Sequence, residues 1–142
     1  MPKLIVDSSI WIDFFNKKMS SNIKHLSRLL LTSIEESPII ILPIIMQEIL
    51  QGIENDRDYT IVKENLEGLD FIDYSQYEFS VKAAELYRKL RKKGITIRKA
   101  NDCLIAAICI EFNLPLFHND KDFDNIAKYT SLKIYKPYHD KN

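Results

Sequence analysis

GITIRKANDCLIAAICIEFNLPLFHNDKDFD, residues 94–124, is the stretch of this chain that indicates its fold most directly. Its first half carries apolar residues at helical spacing up to Phe112, which predicts a helix with one apolar face and Asp102 in its opening turn. Its second half, Leu114–Phe117, is too short for a helix and ends in polar residues, as a strand does where it enters a loop. The pattern therefore predicts a helix that begins near one acid and a strand that ends before another, Asp120.

The amino terminus has the same arrangement of a strand followed by an acid. Residues 3–6 read KLIV, which predicts a buried strand, and Asp7 follows directly. Strands separated by helices form a parallel sheet, and ligands bind beyond the carboxyl ends of such strands. We therefore expect an α/β fold with a central parallel sheet between helices, and Asp7 beside Asp120 if their strands are neighbours. Further strands are predicted at residues 39–42, 69–72 and 132–135.

Local signals predict where several helices begin and end. Ser75, with Glu78 three residues later, forms a capping box at the start of a long helix. Gly94 fits the position that ends this helix. Asp122 or Asp124 is predicted to cap a short helix near the carboxyl terminus.

Length and composition indicate an ordinary globular domain. The chain has 142 residues, of which 46% are hydrophobic and 28% charged, so we expect one domain covering residues 1–142. Its apolar runs are shorter than the roughly 18 residues of a membrane span, and its amino terminus does not resemble a secretory signal. The expected location is the cytoplasm. Cys103 and Cys109 fall on different faces of one predicted helix, so we expect two reduced thiols and no zinc site.

A basic segment leads to Asp102. Seven of the twelve residues from Arg88 to Lys99 are basic and none is acidic, although the net charge of the whole chain is zero. For the part up to Lys93, cations at the end of a helix that complement its dipole are an equal explanation. Arg98 and Lys99 lie beyond the end of that helix, so contact with nucleic-acid phosphate is the better interpretation for these two.

Each acid has a simple structural explanation when it is taken alone. Asp7 and Asp122 fit helix caps, Asp102 suits the positive end of a helix dipole, and Asp120 suits a turn. Glu48 fits this pattern less well, because it is the only ionisable residue within a run of mostly apolar neighbours.

Taken together, the acids predict a metal site. Carboxylates gathered at one sheet edge repel each other unless a positive charge lies between them. Mg²⁺ or Mn²⁺ held by carboxylates and waters fills this role, with substrate phosphate completing the coordination. Such an ion activates a bound water and stabilises charge on a phosphate during hydrolysis. The basic segment would then hold the nucleic-acid backbone.

Three segments resemble a known family. LIVDSSIWIDFF at residues 4–15, PIIMQEILQGI at 43–53 and above all residues 94–123 resemble the PIN-domain ribonucleases of the VapC toxin type, along nearly the whole chain. The resemblance implies a PIN-like three-layer α/β/α sandwich with a central parallel sheet. It also implies an acidic pocket that binds Mg²⁺ or Mn²⁺ and cleaves RNA.

The resemblance also assigns roles to individual residues. It implies that the catalytic, metal-binding acids are Asp7, Glu48, Asp102 and Asp120. Ser8 or Ser9 matches the small hydroxyl position after the first acid, and Asp122 matches a second acid of the last motif whose role varies. The supporting residues are therefore Ser8, Asp122 and the phosphate contacts Arg98 and Lys99.

Partners are likewise implied by the resemblance alone. Toxins of this family are typically homodimers that are neutralised by a VapB-like antitoxin, whose tail enters the acidic groove. RNA is the implied substrate, and a membrane partner is not expected. The helices around Trp11 and Ile44–Leu50 are the predicted dimer interface.

Other functions predict different residues. A haloacid-type phosphatase would need a second acid two positions after Asp7, where Ser9 stands. A receiver module would need paired acids at the first strand end, which Val6 and Asp7 do not supply. Within the PIN family, a nuclease that is not a toxin and a catalytically idle domain that binds RNA or a protein partner remain alternatives.

Overall fold

A computed structural model describes residues 3–18, 20–31 and 37–137 of the chain. Within these residues the sheet has four strands, β1 (Leu4–Val6), β2 (Ile39–Ile41), β3 (Asp70–Phe71) and β4 (Leu116–Phe117). Their order is β3-β2-β1-β4, and every neighbouring pair is parallel. The predicted α/β class with a central parallel sheet is confirmed.

The first and last strands are neighbours in the centre of the sheet. Ile5 pairs with Leu116 and Val6 with Phe117, and the Asp7 amide donates a 2.9 Å hydrogen bond to the Phe117 carbonyl. Because the strands are parallel, the residues that follow them leave the sheet at the same edge. The two strands are neighbours, which is the condition under which Asp7 was expected beside Asp120.

Helices lie between the strands and after the last one. In the described parts of the chain they are α1 (Ser8–Phe15), α2 (Ser21–Leu31), α3 (Pro43–Gln51), α4 (Asp56–Glu67), α5 (Gln76–Lys92), α6 (Ala100–Glu111) and α7 (Lys121–Lys128). Helices α1 and α3 each begin two residues after the end of a strand. Pro43 begins α3, where its missing N–H has no helical partner to lose.

The helix termini follow the sequence signals with one exception. The Ser75 side chain accepts a 3.2 Å hydrogen bond from the Glu78 amide, and Gly94 takes a positive φ of 84° just after α5. The predicted cap of the last helix is wrong, because neither Asp122 nor Asp124 caps it. Asp120 does, by accepting a 3.0 Å hydrogen bond from the Asp122 amide.

Helix α6 lies inside the molecule. Instead of the single apolar face that was predicted, its buried residues lie all around the helix, while Phe112 at its end is 41% exposed. Helix α5 packs on α6, and a helix covered on several sides is apolar all round. Cys103 and Cys109 are both buried and free, as expected. The buried residues of α6 are Asp102, Cys103, Ile105, Ala106, Ala107, Ile108 and Cys109.

Two further predictions concern the ends of elements. The predicted strand at residues 132–135 is wrong, because only an isolated bridge between Ile134 and Leu116 forms there. The helical spacing of Ile23, Leu26, Leu30 and Ile34 predicts a helix that Pro38 ends, and residues 32–36 of this segment lie outside the described residues.

The predicted dimer interface around Trp11 lies on α1 and stays a prediction. The Trp11 side chain itself is only 2% exposed, whereas that of Ile12 beside it is 41% exposed. None of the described helices has the length and apolar character of a membrane span.

Candidate metal centre and active site

The four predicted acids all lie where an element begins or along a helix that follows a strand. Asp7 follows β1 and caps α1, while Asp120 follows β4 and caps α7. Asp102 is in the first turn of α6, and Glu48 is in α3, the helix after β2. Strands β1, β2 and β4 are parallel neighbours, and the segments that follow their ends carry Asp7, Glu48 and Asp120. Asp102 comes from the amino terminus of α6.

Asp102 is the acid of this group whose pKa departs most from its ordinary value. It is 4% exposed, and its Oδ2 atom is buried without a hydrogen-bond partner among the described residues. The pKa of Asp102 is raised from 3.8 to about 7, first by burial and then by the charges of Asp7, Asp120 and Glu48, against an opposing effect of Lys99. The Asp102 carboxylate therefore lies close enough to the three other acids for their charges to act on it, so the structure brings the four acids together.

Glu48 is half-buried and shares this repulsion. Burial and then the charge of Asp7 raise the pKa of Glu48, whereas Lys99 and hydrogen bonds from Ser8 and Asn101 lower it. The Ser8 hydroxyl donates to Glu48 Oε1 at 3.4 Å. Burial of this charge among the apolar residues of α3 is thus partly compensated by polar contacts from α1 and α6.

Asp7 is fixed by the helix that it caps. Its Oδ2 atom accepts hydrogen bonds from the Ser9 amide at 3.1 Å and the Ser9 hydroxyl at 2.7 Å. The Ser9 hydroxyl in turn accepts a 3.1 Å hydrogen bond from the Asn119 amide. Ser9 therefore joins the loops that follow β1 and β4, while Ser8 contacts Glu48, so that both hydroxyls after the first acid reach the site.

A tighter group within the site includes an acid that the sequence interpretation had left in a supporting role. Asp102, Asp120 and Asp122 each offer an oxygen, and these oxygens all lie within 4.8 Å of one another. Asp122 is 7% exposed. Asp7 and Glu48 do not belong to this tighter group. Asp102 thus belongs with two pairs of acids: Asp7 and Glu48, which follow β1 and β2, and Asp120 and Asp122, which follow β4.

The two predicted phosphate contacts reach the acids themselves. The Arg98 amide and its Nε atom donate to Asp122 Oδ2 at 3.3 and 3.4 Å, and its Nη2 atom donates to Asp120 Oδ1 at 3.4 Å. Lys99 Nζ lies 4.0 Å from Asp120 Oδ2. The end of the basic segment is therefore part of the acidic centre rather than a separate surface.

His118 is a contributor that the sequence interpretation missed. Its Nδ1 atom accepts a 3.0 Å hydrogen bond from the Asp120 amide, and its Nε2 atom lies 3.1 Å from Asp124 Oδ1. Since Nδ1 is an acceptor, the network assigns the proton to Nε2, which donates to Asp124. The imidazole thus fixes the backbone of Asp120, and a His two residues before an acid at a strand end was the available signal.

The donor atoms of the centre fit a hard divalent cation. Its acidic side chains offer carboxylate oxygens, which Mg²⁺ and Mn²⁺ prefer as ligands, and neither buried cysteine is needed. The buried Asp102 Oδ2 atom lacks a partner in the described residues, and such an atom is stabilised by a bound cation. The residues present are therefore compatible with a magnesium or manganese ion.

Comparison with known proteins identifies similar chains. The PIN domain family model matches residues 4–129. The chain is 35% identical over 130 residues to VapC ribonuclease Mb1587 of Mycobacterium bovis, covering 92% of this chain and 96% of that protein. It is 27% identical over 134 residues to ribonuclease VapC1 of Methanocaldococcus jannaschii, covering 94% of this chain and 87% of that protein.

Solved structures share the fold. The crystal structure of VapBC2 from Rickettsia felis, bound to a DNA fragment from its promoter, contains a chain that matches with a TM-score of 0.71 at 24% identity, covering 93% of this chain and 96% of that one. DNA-bound VapBC from Salmonella typhimurium contains one with a TM-score of 0.72 at 19% identity, covering 95% and 98%. At these identities the likeness concerns the fold, and it agrees with a helix-covered parallel sheet.

Proposed function

The chain belongs to the PIN-domain family, among its VapC-type ribonucleases, and from this membership we propose that it is a metal-dependent endoribonuclease, the toxin of a type II toxin–antitoxin pair. The observation that carries the proposal is the buried carboxylate of Asp102, whose pKa is raised by burial and by three further acids. Concentrated negative charge of this kind is what a divalent cation stabilises. RNA is the proposed substrate, as for the ribonucleases that the chain resembles.

We propose that Mg²⁺, or Mn²⁺ in its place, is held by the acids of the centre. Asp7, Glu48, Asp102 and Asp120 are the proposed metal-binding and catalytic residues, and the closeness of Asp122 to Asp102 supports a direct role for this fifth acid. When bound, such an ion supplies a water of lowered pKa and stabilises negative charge on the phosphate.

The side chains of this protein have separate tasks in the proposed reaction. Glu48 is suited to accept the proton of the attacking water, because a carboxylate with a raised pKa is a stronger base. Ser8 holds Glu48 through Oε1, and Ser9 holds Asp7 through Oδ2. Lys99, whose side chain is 64% exposed beside the acids, is placed to contact a phosphate of the RNA backbone.

The proposed partners follow from the same family membership. A VapB-like antitoxin is the proposed inhibitor, since the structures that share the fold include VapBC assemblies. A homodimer and a cytoplasmic location stay proposals. For the dimer interface the half-buried and exposed residues of α3 are candidates, whereas the buried Trp11 is not.

The test is cleavage of a panel of structured RNAs with Mg²⁺ or Mn²⁺. We expect Asp7→Asn and Asp102→Asn to lower the rate by about 100-fold or more, since each removes a group that stabilises charge at the centre. Asp73→Asn, an exposed acid between β3 and α5, is the matched control and should cleave like the native protein. Equal rates for all variants would refute the proposed centre.

The toxin role is tested separately from the chemistry. Expression of the native chain should arrest growth, and co-expression of the small protein encoded beside it should restore growth. Arrest by Asp102→Asn as strong as by the native chain would refute a toxin that acts through this centre. RNA cleavage without any growth effect would instead identify a PIN nuclease that is not a toxin.

A further inference from the structure

Arg98 carries a contact that the proposed reaction does not use. Its guanidinium bridges two acids of the centre, with Nη2 3.4 Å from Asp120 Oδ1 and Nε 3.4 Å from Asp122 Oδ2. The side chains of these two acids are only 12% and 10% exposed, whereas that of Arg98 is 72% exposed. A positive group that is itself mostly in solvent therefore covers two nearly buried carboxylates.

The bridge uses the oxygens that a metal ion would need. Asp120 and Asp122 belong, with Asp102, to the three acids whose oxygens lie within 4.8 Å of one another. Asp102 accepts no such contact, and its Oδ2 atom is without a partner among the described residues. A guanidinium and a divalent cation repel each other and cannot both hold the same carboxylates closely.

We propose that Arg98 is an internal counter-ion of the metal-free centre, which a divalent cation displaces from Asp120 and Asp122 so that the freed guanidinium contacts RNA phosphate. The inference rests on the proposed metal-dependent function. Binding of the metal ion and binding of RNA are then linked through one side chain. A guanidinium that is released from carboxylates is free to bind phosphate, whose geometry it matches as well as that of a carboxylate.

The local geometry permits this exchange at little cost. The contacts of the guanidinium are long, and ion pairs with an exposed partner contribute little to stability. The Arg98 amide makes its own 3.3 Å hydrogen bond to Asp122 Oδ2, so the backbone keeps its place when the side chain leaves. Only the side chain has to rotate into solvent.

Lys99 provides the comparison that isolates the bridge. It carries the same charge beside the same site, but its Nζ atom lies 4.0 Å from one acid only, Asp120. Arg98→Gln and Lys99→Gln therefore remove equal charge, whereas only the first removes the bridge. Arg98→Lys keeps the charge but replaces the planar fork by a single ammonium, which does not reproduce paired contacts.

The experiment measures Mn²⁺ binding by calorimetry to the full chain and its variants. We expect Arg98→Gln to bind Mn²⁺ roughly threefold to tenfold more tightly than the native protein, Lys99→Gln to differ from native by less, and Arg98→Lys to lie between native and Arg98→Gln. If the native protein binds Mn²⁺ and Arg98→Gln binds no more tightly than Lys99→Gln, the inference is wrong while the proposed function stands. If the native protein binds no Mn²⁺, both are wrong.

Thermal unfolding gives a second readout that needs no RNA. Removal of the bridge leaves Asp120 and Asp122 to repel each other only in the metal-free state. We therefore expect Arg98→Gln to melt below the native protein in EDTA and at the same temperature in saturating Mn²⁺. A purely structural role for Arg98 predicts an equal decrease in both conditions, and this outcome would overturn the inference.

Discussion

Asp102 retains its proton to a higher pH in the folded protein than in the unfolded chain, because burial and neighbouring acids raise its pKa from 3.8 to about 7. Between these values the folded state binds more protons, so this group stabilises the fold at low pH and loses that contribution as the pH rises toward 7. Glu48, whose pKa is also raised, acts in the same direction. The pH dependence of the unfolding free energy of the metal-free protein therefore reports on the environment of these two acids.

The resulting prediction concerns thermal unfolding in EDTA between about pH 4 and pH 8. Relative to Asp102→Asn, the native protein should lose stability as the pH rises, since only the native side chain must ionise in a buried, negative environment. Asp73→Asn should behave like the native protein. Identical pH profiles for native protein and Asp102→Asn would contradict the assigned pKa.

Individual residues also mark the limit of the sequence interpretation. The placement of Asp7 and Asp120 could be predicted, because Asp7 directly follows one apolar run and Asp120 comes three residues after another. The burial of Asp122 could not, because its partner Arg98 lies 24 positions away and the contact depends on how α6 and α7 meet. His118 was missed for a similar reason, since its role is a hydrogen bond to a backbone amide.

At the scale of elements, Asp120 serves two purposes that substitution can separate. It caps α7 and also belongs to the acidic group. Asparagine preserves a cap whereas alanine does not, so Asp120→Ala should lose about 1 kcal/mol of unfolding free energy and Asp120→Asn much less. Both remove a carboxylate, so both should weaken Mn²⁺ binding. Denaturant unfolding in EDTA together with calorimetry checks this, and equal stabilities for the two variants would exclude the cap.

Prediction of the elements worked where the signal is local. The Ser75 cap and the turn at Gly94 depend on a few consecutive residues. The predicted strand at residues 132–135 failed because an apolar run does not reveal whether a sheet edge offers more than one bridge. The burial of α6 on several sides likewise depends on packing against α5, which the spacing of its own residues does not determine.

For the whole molecule, the placement of charge matters more than its sum. Twenty basic and twenty acidic residues cancel, yet Arg88 and Arg98 line one groove of about 500 Å³ between α5 and the start of α6. Arg98, which lines this groove, also contacts Asp120 and Asp122 of the acidic centre. An RNA strand bound along this groove would be held by its cations close to the acidic centre, although the protein as a whole is neutral.

The corresponding prediction concerns the salt dependence of RNA binding. Arg88→Gln should weaken binding to all RNA sequences alike and reduce the slope of log affinity against log salt by about one phosphate contact. Arg57→Gln, at the exposed start of α4, is the control and should leave the slope unchanged. Filter binding with Asp102→Asn as the common background avoids cleavage, and an unchanged slope for Arg88→Gln would place the RNA elsewhere.

The pairing of β1 with β4 has a consequence for the time at which activity can arise. During translation Asp7 is made early, but its neighbours Asn119 and Asp120 come more than a hundred residues later. A nascent chain therefore carries no complete set of acids until the segment through Asp120 has left the ribosome and β4 has inserted beside β1. The acidic centre is thus incomplete throughout most of synthesis, and an antitoxin already present has that interval to meet the emerging chain.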